Sequence, residues 1–155
     1  MAFSNERAVG NSAASRLTAS LKSNIRSVGF KAHANNAKDD LMGYTKAIAV
    51  VHDQVNTLGE TMPYLNKIVF RMPNHGFIQH YGTTTIRQNG RRTRKKPETK
   101  TYNFAAHYYN IPAKNFIDRA IRNSGIIDFV LSEITELRAT DILVSLIRSM
   151  QNNVR

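Results

Sequence analysis

Leu17, Leu21, Ile25 and Val28 recur at spacings of four, four and three. That puts them on one face of a helix, with Arg16, Lys22, Ser23 and Arg26 outside. Ser12 is the expected N-cap and Gly29 the expected stop. The small, polar residues 1–12 read as a flexible tail that orders on contact. Phe30–Ala37 reads as a short strand or a loop. Between Asp39 and Val55 two patterns compete. Leu41, Tyr44, Ile48, Val51 and Val55 fit helical spacing, and the length of the segment favours a helix. The run Ala47–Val51, AIAVV, would equally serve as a buried strand. Asn56–Pro63, with Gly59 and Pro63, reads as a connection.

The stretch Leu65–Gly82, LNKIVFRMPNHGFIQHYG, predicts two short strands around a turn at Pro73, Asn74 and Gly76. Ile68, Phe70 and Phe77 are its expected buried side chains. The arm Thr83–Thr101, TTTIRQNGRRTRKKPETKT, has Asn89-Gly90 near its middle, a pair that favours a tight two-residue turn. The arm therefore reads as an extended hairpin with charge at its tip, or as a solvated loop. Tyr102, Phe104, Tyr108 and Tyr109, with His107 among them, read as a strand or helical turn packed on the core. Pro112 opens the next helix, with Phe116, Ile117, Ala120 and Ile121 on its apolar side. Ser124-Gly125 breaks it. Ile126–Leu137 is a further helix, and Thr140 is the expected N-cap of another that carries Ile142, Leu143, Leu146, Ile147 and Met150. The sum is an α+β chain. It has a small antiparallel sheet with a long extended basic hairpin or loop, packed against an N-terminal helix and C-terminal helices. With 155 residues it reads as a single domain, 1–155, with a flexible tail at 1–12 and a protruding basic arm at 83–101.

Charge sharpens this outline at one place. The chain carries +11, and residues 83–101 alone hold seven Lys/Arg against one Glu. Residues 1–82 contribute +4 and residues 102–155 only +1. A localised excess points to a polyanion or an acidic surface near the arm. Its cations, Arg87, Arg91, Arg92, Arg94, Lys95, Lys96 and Lys100, are the candidate nucleic-acid or partner contacts. No aromatic residue is interleaved with them in sequence. That favours contact with backbone phosphates or carboxylates over base stacking. A solvated loop explains the charge run equally well.

Catalytic chemistry is sought without success. The chain has no cysteine, which excludes disulfides and thiolate sites. His75, His80 and His107 lack the tight spacings of zinc ligands and read as structural. Asp39-Asp40, before an apolar run, reads as a helix N-terminus rather than a cation site. Gly76 and Gly82 are isolated, so no phosphate loop is indicated, and no GxSxG elbow frames a nucleophile. No catalytic, cofactor-binding or metal residue is expected. No apolar run is long enough to span a bilayer, and the start, MAFSNERAVGNSAAS, lacks a signal-peptide core. The expectation is a soluble protein made in the cytoplasm, with no membrane partner.

Two stretches carry a family resemblance. KIVFRMPNHGFIQHYGT looks like a hairpin in which an extended run and a turn precede an aromatic-rich strand ending in glycine. IPAKNFIDRAI looks like a segment in which a proline and an aromatic precede a short helix ending near alanine, here Pro112, Phe116 and Ala120. In this order, after an amphipathic helix, they resemble the neck and tail-completion proteins of tailed bacteriophages, the head–tail connector family related to minor tail proteins. The resemblance implies a non-enzymatic α+β subunit of the virion, assembled in the host cytoplasm. It would form a homo-oligomeric ring around the DNA channel, beside portal, connector or tail subunits and with non-specific DNA contact. The long basic insertion after Gly82 and the two-part helical C-terminus depart from the smallest members. The alternative is a cellular nucleic-acid-binding protein whose arm grips the phosphate backbone.

Overall fold

The computed structural model describes residues 4–30, 40–55, 59–95 and 97–152. The architecture is α+β. It divides into two compact units, one formed by residues 1–73 with 116–155, the other by Asn74–Asn115.

In the first unit, helix α1 (Glu6–Ser27) is the centre of the core. Val9, Ala13, Leu17, Leu21 and Ile25 are all buried on one face of it. The helix starts well before Ser12. Asn5 is the N-cap, its side chain accepting from the Ala8 N–H at 3.0 Å, so residues 6–12 are helix rather than tail. Gly29, with φ +86, lies just beyond its end, where a left-handed residue is favoured. Most of Phe30–Ala37 lies outside the described residues.

The competition between Asp39 and Val55 is won by the strand. Only Leu41–Tyr44 is helical (α2), with the Asp40 side chain capping the Met42 N–H at 3.0 Å. Asp40 thus serves a helix N-terminus, as expected. Lys46–Val55 is strand β1, paired antiparallel with β2, Thr61–Arg71. The β-branched and small run Ala47–Val51, extended along a partner strand, outweighs the helical spacing because the ladder satisfies every second backbone group and α1 covers one face. The register shifts between Val50 and Val51, leaving Asn66 as the extra residue of a bulge.

Helix α1 crosses this hairpin closely. The Ala47 N–H donates to Thr18 Oγ1 at 2.9 Å. A Cβ on Gly10 would fall 2.8 Å from Leu65 Cδ1 and 3.0 Å from Ala49 Cβ. Gly10 is therefore the point of closest helix–sheet approach. Gly10→Val is expected to cost about 1–3 kcal/mol in a chemical melt, from overpacking and a β-branched residue in a helix.

The expected Leu65–Gly82 hairpin does not form. Leu65–Arg71 belongs to β2, whose partner precedes it in sequence, and Asn74–Tyr81 is helix α3. Ile68, Phe70 and Phe77 are half-buried, not fully buried. The fully enclosed aromatic of the core is Phe116, at the start of α4 (Phe116–Ser124), packed edge-on against Phe30. Ser20 Oγ of α1 donates to the Ala120 carbonyl of α4 at 3.0 Å. Helix α5 runs unbroken from Ile126 to Asn152. The expected restart at Thr140 is absent: its hydroxyl donates back to the Glu136 carbonyl at 2.9 Å, a bond made inside a continuing helix.

The second unit holds α3 and a two-stranded ribbon. Strand β3 (Thr83–Arg87) pairs with β6 (His107–Ile111), and β4 (Gly90–Arg94) pairs with β5 (Lys100–Phe104), both antiparallel. Gly82, with φ +75, closes α3, its N–H donating to the Ile78 carbonyl at 2.8 Å. A Cβ there would meet Ala113 N and Ile111 O at 2.7 Å, so only glycine fits. The Lys114 and Asn115 N–H groups donate to the Gln79 and His80 carbonyls, satisfying the last turn of α3. The turn joining β4 to β5 bends at Pro97 and Glu98. The break between β3 and β4 is Gln88-Asn89, opposite Ala105-Ala106, and Gly90 is the first residue of β4. The ribbon thus takes in residues 83–111, ten more than the arm read from the charge run.

Candidate functional site

The ribbon carries the cations that the charge run singles out, and its register sorts them by face. Directly paired residues of an antiparallel ladder share a face, and neighbours in one strand alternate. In the distal half, Arg94 pairs with Lys100, Arg92 with Tyr102 and Gly90 with Phe104 on one face. Arg91 with Asn103 and Thr93 with Thr101 occupy the other, the two threonine hydroxyls lying 3.0 Å apart. In the basal half, Arg87 pairs with His107 and Thr85 with Tyr109 on one face. Thr84 with Asn110 and Ile86 with Tyr108 occupy the other. Two ring contacts join the halves. The Arg87 guanidinium lies 4.8 Å from the centre of the Phe104 ring, and the Phe104 and His107 rings meet edge-on at 6.3 Å.

One continuous face therefore presents Tyr109, Arg87 with His107, Phe104, Arg92 with Tyr102, and Arg94 with Lys100. Of the seven expected contact residues, Arg87, Arg92, Arg94 and Lys100 come together here. Arg91 is on the opposite face, Lys95 is in the turn, and Lys96 lies outside the described residues. Tyr102, Phe104 and Tyr109 are the functional candidates that the charge run missed. Contrary to the packing on the core expected from their clustering, Tyr102 and Tyr109 are 47% and 48% exposed. The absence of interleaved aromatics holds along the sequence but not across the strands. Arg94 and Lys100, directly opposite, are a like-charge pair that disfavours the ladder. Glu98, 3.4 Å from Lys100 Nζ, offsets it little, since both side chains are about three-quarters exposed.

The second surface belongs to α5 in the first unit. Its proximal part lays Ile126, Val130, Ile134 and Leu137, buried or half-buried, toward the rest of the unit. Arg16 of α1 sits 3.9 Å over the Phe129 ring. Beyond Arg138 the apolar side has rotated. Ile142, Leu143, Leu146, Ile147 and Met150 form an arc centred roughly 160° round the helix from the inward-facing positions, at about 100° per residue. They are 47–69% exposed. On the inner side of this distal part, Arg148 Nη1 reaches Glu60 Oε1 at 3.4 Å.

Between these parts lies a charged junction. Glu6, buried in the first turn of α1, accepts from Arg138 Nε through Oε1 and from the Leu65 N–H through Oε2, both at 2.7 Å. The bond to Glu6 raises the Arg138 pKa, with burial opposing it. The guanidinium stays charged at any ordinary pH, and its contribution to stability is lost only in strong alkali. Beside it, an open cleft of about 640 Å³ is lined by His52, Gln54, Tyr64, Asn66, Arg138 and Asp141. It holds no paired carboxylates and no nucleophile–base pair.

His80 is buried in α3 with its ring edge-on to Tyr81, and His107 Nδ1 lies 3.1 Å from the Ala105 carbonyl. Among the described residues, no three His, Asp or Glu side chains gather as metal ligands, and no helix is long and apolar enough to cross a membrane. Comparison with protein-family models, curated proteins and solved structures finds no match to this chain.

Proposed function

We propose that the protein is a non-enzymatic, self-associating structural subunit, set in the neck or tail of a tailed bacteriophage particle. There it would repeat as a ring beside portal, connector or tail subunits. The observation that carries self-association is the distal apolar arc of α5. Five large aliphatic side chains on one side of a helix are turned away from the chain's own core, and the helix's polar side is held inward by Arg148 and Glu60. An apolar arc of this width seeks a second helix. A second copy suits it. In a chain of net charge +11, residues 142–152 contain a single charge, Arg148, and that charge is paired. Two copies can meet there without the repulsion that their overall charge would otherwise impose. Burial of the arc would contribute on the order of 1 kcal/mol per side chain.

The virion setting rests on the sequence resemblance of Ile111–Ile121; in the structure Phe116 opens α4 and Ala120 lies inside it. The stretch Lys67–Thr83 does not support it as a hairpin, since its second half is α3.

The test is mass in solution. The wild-type chain, 17.5 kDa, is expected to give a discrete multiple of that mass by sedimentation equilibrium. Ile142→Ser with Leu146→Ser is expected to give a folded monomer with an unchanged far-UV circular dichroism spectrum, because the two positions are exposed in the single chain. A wild-type chain that stays monomeric at every concentration would overturn self-association. A discrete oligomer absent from purified particles would retain it and remove the virion setting.

A further inference from the structure

We propose that the aromatic–cationic face of the ribbon binds single-stranded nucleic acid, with Tyr102 and Tyr109 as platforms for bases and Arg92, Arg94 and Lys100 on the phosphates. This does not depend on self-association. Three observations lead to it. First, aromatics and cations alternate along one face, a pattern that a strand of nucleic acid offers in return as bases and phosphates. Second, Tyr102 and Phe104 are two residues apart on one strand, about 6.8 Å, twice the roughly 3.4 Å rise between stacked bases. Bases seated there would be separated from each other and would each meet a protein surface, which suits an unpaired strand and not a duplex. Third, Arg94 and Lys100 are held directly opposite one another. An anion seated between them would meet two cations at once. Arg87 adds to the same surface, because its guanidinium, 4.8 Å from the centre of the Phe104 ring, is itself a plane on which a base can stack.

The opposite face is the internal control. It carries Arg91 and Tyr108, but Tyr108 is paired with Ile86 and Arg91 with Asn103, so charge and ring do not share a cross-strand pair there.

The experiment is a fluorescence-anisotropy titration of the full chain with a labelled oligothymidylate and with a duplex of equal length, each over a series of salt concentrations. Wild type is expected to bind the single strand more tightly. Tyr102→Thr and Tyr109→Thr, which keep strand propensity, are each expected to weaken that binding roughly tenfold without changing the salt slope. Arg92→Gln is expected to flatten the slope by about 0.7. Tyr108→Thr should change neither. Equal affinity for the duplex, with both tyrosine substitutions silent, would overturn the proposal and leave a plain polycation. Binding to neither probe would overturn it in favour of an acidic protein surface. Repeating the titration on Ile142→Ser/Leu146→Ser separates avidity in an oligomer from affinity at the ribbon. Loss of the tyrosine effect in that variant would also overturn the proposal.

Discussion

Phe116→Ala is expected to destabilise the first unit by about 4 kcal/mol. The ring is fully buried, and its removal leaves a cavity where α4 meets α1. Its neighbours cannot readily collapse into the space. Phe30 meets it edge-on, and Ser20 ties the α4 backbone to α1 through the Ala120 carbonyl. A loss in the middle of the usual range for a buried Phe→Ala is therefore the outcome to look for in urea denaturation. Phe70→Ala, at a half-buried position of β2, should cost distinctly less. If the two substitutions lowered stability equally, the core would not be centred on the α1–α4 contact.

The elements that could be read from the chain are those whose burial follows one local period. Helix α1 shows this: Leu17, Leu21 and Ile25 repeat at four and are buried where the repeat places them. Its start was misplaced because Gly10, Asn11 and Ser12 look like a break. Gly10 is instead inside the helix, small because β1 and β2 press against it. The β1 strand was hidden for a different reason. Its burial comes from a partner strand and a helix distant in sequence, and a spacing of three and four can arise in any aliphatic-rich strand. The α3 segment was misread because Pro73-Asn74 and Gly82 punctuate a helix as well as a turn and a strand end.

The ribbon face shows why charge alone was an incomplete guide. The seven cations were legible as a run, but which of them act together depends on strand register. That register follows the turn that bends at Pro97 and Glu98, and not Asn89-Gly90. Once Arg92 stands opposite Tyr102, the aromatics ten to seventeen residues downstream join the site. The signal was present in the alternation of Tyr102 and Phe104 after a Pro-containing turn, which predicts a return strand. The rotation of the apolar arc on α5 was likewise readable from residue numbers, whereas the side that faces the core required the fold.

Glu6→Ala is expected to cost about 2–4 kcal/mol, a large effect for one polar side chain. Glu6 is buried in the first turn of α1, where a negative charge is also favoured by the helix dipole. Its two oxygens serve separate elements: the Leu65 N–H at the β2 bulge and Arg138 Nε of α5. The bulge frees a backbone donor from the ladder, and the carboxylate takes it up. Deleting the side chain leaves that donor unpaired and removes the anchor of a guanidinium that also lies 5.7 Å from the Tyr64 ring. The Arg138 side is the smaller part of the loss, because that side chain is 53% exposed and water replaces its partner. Arg138→Ala should therefore cost less than Glu6→Ala, and the double substitution little more than Glu6→Ala alone. Equilibrium unfolding of the three variants checks this. If Arg138→Ala proved the more damaging of the two, the ion pair and not the backbone bond at the bulge would be what Glu6 supplies.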